Sequence, residues 1–353
     1  MRAVHQLLPV LNSSDAIGSA ALRLRALLQS MGYRSDIYAD LIDRPLRRQA
    51  QPVHRLSESL DRDDAVIYHL SLGSPLAAMM RSLRCKRIVY YHNITPPETV
   101  EMLSASLAHR LRWGRSDLMS LAPACDLCIA PSTFSVDELT TAGARQAVRV
   151  RLPVDLQRLS PREATVGSPP IVLFVGRMAP HKGQDVLIRM LAALRAVDHF
   201  HCRLVLAGAA TVPGFSSALR GLAQQLGVEH DVEIADANVN DAQLGDLYAS
   251  ASLFACASEH EGFCVPLLEA MAFSVPVLAY AAAAVPETLG RAGVLVTNRD
   301  PLVWAELARW LVSDRGARRT LTAAGRSRLE EFTEKAVAGD IGVALELLTM
   351  SPR

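Results

Sequence analysis

Two glutamates in one short segment offer the most specific chemistry in this chain of 353 residues. Glu261 and Glu269 lie eight positions apart, with Gly262 and Pro266 between them. A short apolar run over 251–256 precedes them and predicts a buried strand, whereas the residues after the proline favour a helix. Open α/β sheets bind ligands at such a strand-to-helix turn. The N–H groups at the helix start would point towards an anion, and the carboxylates could accept hydroxyl hydrogen bonds.

A cationic segment follows another predicted strand, at residues 171–175. Gly176 and Gly183 enclose a turn that carries Arg177 and Lys182, five positions apart. A guanidinium offers a planar fork of donors and an ammonium offers a point charge, and both suit a diphosphate. We therefore expect a cation pair that stabilises the developing negative charge of a leaving group.

The first half of the chain contributes a glycine and two histidines. Gly18 opens a predicted helix after the first strand and would let an anion approach backbone N–H groups. The alternative is that Ser14 or Asp15 is an ordinary helix cap. His92 follows a predicted strand and is expected to be a site residue, with a hydrogen-bonded structural histidine as the alternative. His69 ends a neighbouring strand and either lines the site or is structural.

Composition and charge limit the function classes. Lysine and arginine number 37 against 36 acidic residues, and no basic block dominates, so nucleic acid is not expected as the main partner. Half of the residues are hydrophobic, and the length suggests two domains of ordinary size. No apolar run reaches the length of a membrane span, and the N-terminus is too short and polar for a secretory signal. A cytoplasmic location is therefore predicted.

Two short motifs that could bind a metal have structural explanations. Cys125 and Cys128 form a C-x-x-C, but they lie in a predicted buried strand and no second ligand pair has zinc spacing. Asp61 and Asp63 have the letters of a D-x-D motif but lie in a charged loop. No catalytic metal is expected, because the arginine and lysine of the cationic segment would balance a diphosphate.

Strand-like and helix-like runs alternate along the whole chain, which is typical of stacked βαβ units in an α/β fold. A stretch rich in proline, serine and glycine at 159–170 predicts a linker. The predicted domains are therefore residues 1–158 and 171–332, followed by a last helical segment at 333–353.

Three segments resemble one enzyme family. The stretch from Glu261 to Glu269 closely resembles the E-x7-E motif of retaining GT-B glycosyltransferases, especially glycosyltransferase family 4. Residues 176–183 resemble that family's donor-phosphate motif. The stretch 90–98 resembles a Tyr-His-Asn-Ile-Thr-Pro segment of bacterial surface-polysaccharide glycosyltransferases. The resemblance implies two Rossmann-like doubly wound domains that face a central cleft, with the segment 333–353 packing back on the first domain.

The resemblance also implies roles for the matched residues. Glu261 would lie beside the donor sugar, and Glu269 would hold the ribose of the nucleotide. Arg177 and Lys182 would stabilise the leaving phosphate, and His92 would reach the donor sugar. The remaining implied donor contacts are Gly18, Gly176, Gly208, Gly262, Phe263, Cys264 and Val265.

The function implied is retaining, metal-independent transfer of a hexosyl unit from a nucleotide sugar, with no cofactor. GDP-mannose is the first expected donor and UDP-glucose the second. The acceptor would be a glycan or a lipid-linked glycan in polysaccharide or lipopolysaccharide assembly. Residues 101–121 combine basic and aromatic residues, which indicates either peripheral membrane contact or an ordinary amphipathic helix. Two other functions stay open: another GT-B enzyme, such as a nucleotide-sugar epimerase or an inverting transferase, and a two-domain binding protein without catalysis.

Overall fold

Strands and helices alternate through the chain in a computed structural model, which describes residues 1–12, 15–165, 167–197, 199–237 and 239–350. The strands are β1 (Val4–Leu11), β2 (Ile37–Ile42), β3 (Gln51–Pro52), β4 (Ala65–Leu70), β5 (Lys86–Tyr91), β6 (Leu127–Ala130), β7 (Ala147–Arg149), β8 (Ile171–Val175), β9 (Arg203–Ala207), β10 (Val232–Ala235), β11 (Leu253–Cys256), β12 (Val277–Tyr280) and β13 (Val294–Val296). The helices are α1 (Ala16–Ser30), α2 (Leu56–Ser59), α3 (Leu76–Ser82), α4 (Glu98–Glu101), α5 (Ala105–Leu121), α6 (Thr133–Thr141), α7 (Gln184–Val197), α8 (Phe215–Gln225), α9 (Asp241–Ser250), α10 (Val265–Ala272), α11 (Val285–Leu289), α12 (Pro301–Ser313), α13 (Arg315–Leu329) and α14 (Glu334–Met350).

The chain divides into two compact units. The first contains residues 1–97, 108–155 and 332–353, and the second contains residues 98–107 and 156–331. Each unit has one sheet in which the paired strands are parallel, with seven strands in the first and six in the second. Both are doubly wound Rossmann-like sheets, so the predicted fold class is confirmed.

In the first unit the strand order is β3-β2-β1-β4-β5-β6-β7. The chain therefore winds outwards from β1 through β2 and returns to place β4 on the other side of β1. Ligands of doubly wound sheets bind where the order reverses in this way. Gln6 lies in β1, and the register pairs His69 of β4 with Tyr90 of β5. These strands bring three polar side chains, including His92 just beyond β5, to one region of the sheet.

In the second unit the strand order is β10-β9-β8-β11-β12-β13, so the reversal lies between β8 and β11. Fully buried apolar side chains, among them Phe174, Leu206 and Trp304, pack around these strands. A large packed core of this kind fixes the strand ends, and the turns that leave them carry the predicted site residues.

Residues 98–121 form two helices rather than one continuous helix. Helix α4 ends at Glu101, and the N–H of Ser104 bonds the carbonyl of Val100 in a turn. The Ser104 hydroxyl then accepts the N–H of Leu107 at 3.4 Å, which is the side-chain contact that starts a new helix. No helix in the described part of the chain is both long enough and apolar enough to cross a bilayer.

Candidate active site

An ion pair joins the cationic turn to the glutamate motif in the second unit. Lys182 Nζ donates to Glu261 Oε1 at 2.6 Å, and the lysine is only 8% exposed. Gly183 brings the turn this close, because it has a left-handed φ of 69° and a Cβ there would lie 2.3 Å from the carbonyl oxygen of Ala257. No other residue type fits that contact without moving the backbone. The structure therefore brings these two predicted site residues together.

Arg177 lies on the same turn in a different environment. Its side chain is exposed, and no hydrogen bond or ion pair engages its guanidinium among the residues described. Gly176 and Gly208 form a close backbone contact beside it, because a Cβ on Gly208 would lie 2.2 Å from the carbonyl oxygen of Gly176. These two glycines shape the ends of β8 and β9, and the guanidinium beside them is available for a ligand.

The residues between the two glutamates form the start of helix α10. The Thr288 hydroxyl donates to the carbonyl of Phe263 at 2.6 Å and holds the segment in place. Cys264 has a left-handed φ of 70°, and the helix begins at Val265 with Pro266 in its first turn. In the described part of the chain, the N–H groups of Cys264 and Val265 have no hydrogen-bond acceptor. A helix start of this kind suits an anion, and the donor contact that the sequence implies here stays a prediction.

Glu269 is buried and held by two partners. Its carboxylate is 3% exposed, accepts a hydrogen bond from Arg158 at 2.5 Å and accepts another from the Tyr248 hydroxyl at 2.8 Å. Burial raises the pKa of Glu269, and the neighbouring Arg158 only partly opposes that shift. Sequence reasoning missed both partners, because neither belongs to a motif and they lie 111 and 21 residues from Glu269.

His181 is a buried histidine between the two cations of the turn. It is 4% exposed, and neither of its ring nitrogens has a hydrogen-bond partner among the described residues. Burial, together with the neighbouring charges of Lys182 and Arg177, lowers the pKa of His181 to about 2. The ring is therefore neutral at physiological pH and adds no third positive charge to the turn.

Two cysteines come together beside the glutamate motif. The sulfurs of Cys256 and Cys264 are 3.8 Å apart, and with Glu261 they form a group whose possible ligand atoms lie within 4.8 Å of one another. The Lys182 ammonium already compensates the charge of Glu261, which disfavours a second cation at that carboxylate. No signal in the sequence pointed to this pair.

The two motifs with structural explanations lie in the first unit. Cys125 and Cys128 are buried free thiols, and burial raises the pKa of both, to about 12 for Cys128. Asp61 and Asp63 lie in the loop before β4, where the N–H of Asp61 donates to the side chain of Asp64 at 3.1 Å. The two aspartates lie in a loop and Cys128 lies in β6, as predicted, whereas Cys125 lies two residues before that strand begins.

His92 is the polar residue that follows β5 in the first unit. Its backbone N–H donates to the carbonyl of Leu70 at 2.9 Å, and its Nε2 lies 2.8 Å from Nδ1 of His69. The ring also packs against Tyr90, with ring centroids 4.5 Å apart. Burial lowers the pKa of His92 to about 3 and the pKa of His69 well below its usual range. Both imidazoles are therefore neutral.

Gly18 lies inside helix α1 rather than in an open loop. The side chain of Asp15 caps the helix and accepts the Gly18 N–H at 2.6 Å. A Cβ at this position would lie 2.2 Å from the carbonyl oxygen of Asn12, so close packing explains the glycine. The capping alternative is thus observed for Asp15, Ser14 lies outside the described residues, and a donor contact at Gly18 stays a prediction.

Comparison with known proteins connects this geometry to one group of enzymes. The family model described as glycosyl transferases group 1 matches residues 157–328. The D-inositol 3-phosphate glycosyltransferase of Xylanimonas cellulosilytica is 34% identical over 204 residues, which cover 57% of this chain and 45% of the relative. A Salinispora arenicola relative with the same description is 36% identical over 177 residues, which cover 39% of that relative. The chain thus spans less than half the length of these relatives.

Solved structures share the whole fold. Anabaena HepE in complex with UDP and glucose superposes with a TM-score of 0.73 at 19% identity, covering 97% of this chain and 99% of that chain. WaaG, a glycosyltransferase involved in lipopolysaccharide biosynthesis, has a TM-score of 0.71 at 14% identity, covering 96% of this chain and all of that chain. The chain therefore has the GT-B glycosyltransferase fold, and its residues 157–328 match the family model described as glycosyl transferases group 1.

Proposed function

We propose that this protein is a retaining glycosyltransferase of the family 4 type, which moves a hexosyl unit from a nucleotide sugar to a hydroxyl of a glycan or lipid-linked acceptor. One observation carries the proposal. The ion pair between Lys182 and Glu261, with the unengaged guanidinium of Arg177 on the same turn, lies inside the segment 157–328 that matches the family model. Positive charge of this kind suits a leaving diphosphate, and a carboxylate suits sugar hydroxyls.

The proposed reaction breaks the bond between the sugar's anomeric carbon and the diphosphate oxygen. The acceptor hydroxyl attacks from the same face, and its proton passes to the departing phosphate oxygen. Arg177, Lys182 and the N–H groups of Cys264 and Val265 stabilise the charge that develops on the leaving group. Glu261 orients the sugar. With these groups in place the reaction needs no metal and no further cofactor.

Glu269 is proposed to accept the ribose hydroxyls. Each carboxylate oxygen has lone pairs left after the bonds from Arg158 and Tyr248. Because the carboxylate is 3% exposed, a ribose reaches it by displacing part of its cover, and Arg158, which is bonded to it and to Asp241, is the side chain that moves. Nucleotide binding would then reorganise this ion-pair cluster.

The donor and acceptor are the finer parts of the proposal. The segment at 90–98 favours GDP-mannose and a place in surface-polysaccharide or lipopolysaccharide assembly, whereas the fold neighbour HepE binds UDP-glucose. We place the reaction in the cytoplasm, where nucleotide sugars are made, at the face of the membrane that carries a lipid-linked acceptor. Helix α5 supports such a peripheral contact, because it exposes Trp113 by 39% and Met119 by 59% beside basic residues.

A panel of nucleotide sugars tests the proposal. Thermal unfolding with GDP-mannose, UDP-glucose and the bare diphosphates identifies the nucleotide, since a ligand of the folded state raises the unfolding temperature with concentration. Product analysis then follows transfer to polyprenyl-linked glycans, and proton NMR of the product gives the anomeric configuration. Retention supports the proposal. Inversion of the anomeric configuration would indicate an inverting transferase instead, and an epimerised donor would indicate a nucleotide-sugar epimerase. Binding without transfer to any acceptor would indicate a binding protein without catalysis.

A further inference from the structure

A line of hydrogen bonds crosses three strands of the first unit and ends at His92. Gln6 Nε2 lies 3.0 Å from the backbone carbonyl oxygen of Ala21, and Gln6 Oε1 lies 2.9 Å from His69 Nε2. His69 Nδ1 lies 2.8 Å from His92 Nε2, and the two ring planes differ by only 6°. Gln6 and His69 are completely buried. The Rossmann-like fold does not require such a series of polar groups, which costs free energy unless every member is bonded.

The donor and acceptor of each hydrogen bond follow from the backbone carbonyl of Ala21, where the series begins. A backbone carbonyl can only accept, so the amide nitrogen of Gln6 must face Ala21 and its oxygen must face His69. The oxygen can only accept as well, so Nε2 of His69 carries a proton. Because the ring is neutral, its Nδ1 is then an acceptor, and the proton between the two histidines belongs to His92 Nε2.

From this we infer that Gln6 and His69 are positioning residues that hold His92 in the Nε2–H tautomer and present its Nδ1 as a lone-pair acceptor. Among the described residues, Nδ1 of His92 has no hydrogen-bond partner, and the side chain is partly exposed. A neutral acceptor with a fixed direction takes a hydroxyl hydrogen and repels a phosphate oxygen. That the hydroxyl belongs to a sugar substrate rests on the proposed function.

The surroundings hold the histidine in this place. Asn93 has a left-handed φ of 67°, and its amide donates to Glu138 at 2.7 Å. The Tyr91 hydroxyl donates to the same carboxylate at 3.1 Å and accepts the N–H of Ile94 at 3.0 Å. These hydrogen bonds fix the loop that carries His92, and the contact with His69 fixes the imidazole ring itself. A site built this way holds its reacting group within narrow limits.

The tautomer can be read directly, without substrate. Protein labelled with ¹⁵N-histidine is examined by long-range ¹H–¹⁵N correlation at pH 7, and the His92 pattern is identified with the variant His92→Phe. We expect a protonated, pyrrole-type Nε2 and an unprotonated, pyridine-type Nδ1. A protonated Nδ1 on His92, in either the other tautomer or the imidazolium, would overturn the inference. This result does not depend on the proposed function.

Two substitutions of His69 separate hydrogen bonding from packing. In His69→Asn the amide oxygen takes the position of Nδ1 and still accepts from His92, whereas the similarly branched His69→Leu cannot. We expect His69→Asn to keep the His92 pattern and most of kcat/KM. His69→Leu should lose the pattern and about tenfold or more of kcat/KM, the scale of one lost buried hydrogen bond. Binding of the bare nucleotide should be unchanged in both.

His5→Leu is the matched control. His5 is a buried histidine next to Gln6 in β1, but its Nδ1 accepts the N–H of Asp36 instead of joining the hydrogen bonds that lead to His92. It should leave the His92 pattern and kcat/KM intact. Equal losses in His69→Asn and His69→Leu would reduce His69 to a packing residue. If the spectrum is as expected but no nucleotide sugar is turned over, the tautomer inference stands and the proposed function fails. Gln6→Leu is the second variant if His69→Leu does not fold, and it should bring a protonated Nδ1 into the His92 pattern.

Discussion

The two units differ in the kind of polar group that lies at their sheets. In the second unit the groups are charged pairs: Lys182 with Glu261, and Arg158 with Glu269. In the first unit they are neutral amide and imidazole groups, ending at His92, whose hydrogen bonds run in one direction. In the proposed function the cations of the second unit suit a phosphate, which needs compensating charge that acts over a range of positions. The directed lone pair of His92 suits a hydroxyl, which needs an acceptor that points one way.

The largest expected effect comes from the charged side of this comparison. Changing either Arg177 or Lys182 to Ala should lower kcat/KM by roughly 100-fold or more, because each would remove an electrostatic stabiliser of the leaving group. Only Lys182→Ala should also lower the unfolding temperature, since it leaves Glu261 without its partner. Lys335→Ala, at an exposed lysine of the first unit, is the control. Losses of tenfold or less for both variants would remove the phosphate role.

The two glutamates provide the next effect in size. Glu269→Ala should mainly raise the donor KM and weaken binding of the free nucleoside diphosphate by about 1–3 kcal/mol, because ribose contacts change little in the transition state. Glu261→Ala should mainly lower kcat and leave nucleotide binding almost unchanged. Calorimetry with the bare diphosphate, beside steady-state kinetics, measures both.

Tyr248→Phe is the control for the glutamate comparison. It removes one hydrogen bond to Glu269 but keeps the carboxylate, so nucleotide affinity should stay near that of the wild type. If Glu261→Ala loses nucleotide affinity and Glu269→Ala does not, the roles of the two glutamates are reversed. No effect from either change would place the donor elsewhere on the molecule.

Much of the second unit was accessible from the sequence. The strand at 171–175 begins and ends where it was predicted, because an uninterrupted apolar run bounded by proline and glycine favours a buried strand of that length. Local motifs also located Lys182 and Glu261, although not that their side chains would touch. That contact depends on the close packing of Gly183 against Ala257, and the pattern of hydrophobic residues along the sequence does not reveal such packing.

The parts that could not be predicted depend on residues far apart in the chain. Gln6 and His69 are 63 positions apart and meet only because β4 returns beside β1. Arg158 lies 111 positions from Glu269, just before a segment that read as a linker. Gly18 is a different case: a glycine at a helix start suggested an anion site, its N–H is bonded to Asp15, and the donor contact there stays a prediction.

His181 offers a smaller effect that sharpens the comparison, because it is a neutral group inside the charged unit. Its pKa is about 2 in the folded chain and near 6.5 when unfolded, so between these values only the unfolded chain binds the proton. Stability should therefore fall as the pH drops below about 6.5, by about 1.4 kcal/mol per pH unit for this group. His181→Phe should recover about 2 kcal/mol of the loss between about pH 6.5 and 5.

Urea unfolding at several pH values measures that difference. His230→Phe is the control, because the side chain of His230 is 91% exposed and its removal should leave the pH dependence unchanged. A parallel loss of stability on acidification in wild type and His181→Phe would show that His181 is protonated in the folded chain. The unit would then carry a third positive charge beside Arg177 and Lys182, and the contrast with the first unit would be stronger than described.

The smallest expected effect is that of metal removal. In the proposed reaction Arg177 and Lys182 supply the positive charge that many phosphate-handling enzymes take from a divalent ion, so turnover should remain nearly intact after EDTA. The measurement compares kcat/KM before EDTA, after EDTA, and after Mg²⁺ or Mn²⁺ is added back. Lost activity that either ion restores would contradict the proposal and direct attention to Asp61 and Asp63. Preserved activity in the wild type, combined with activity that Mg²⁺ partly restores in Lys182→Ala, would be the strongest support, because an added ion would then replace the charge that the protein normally provides.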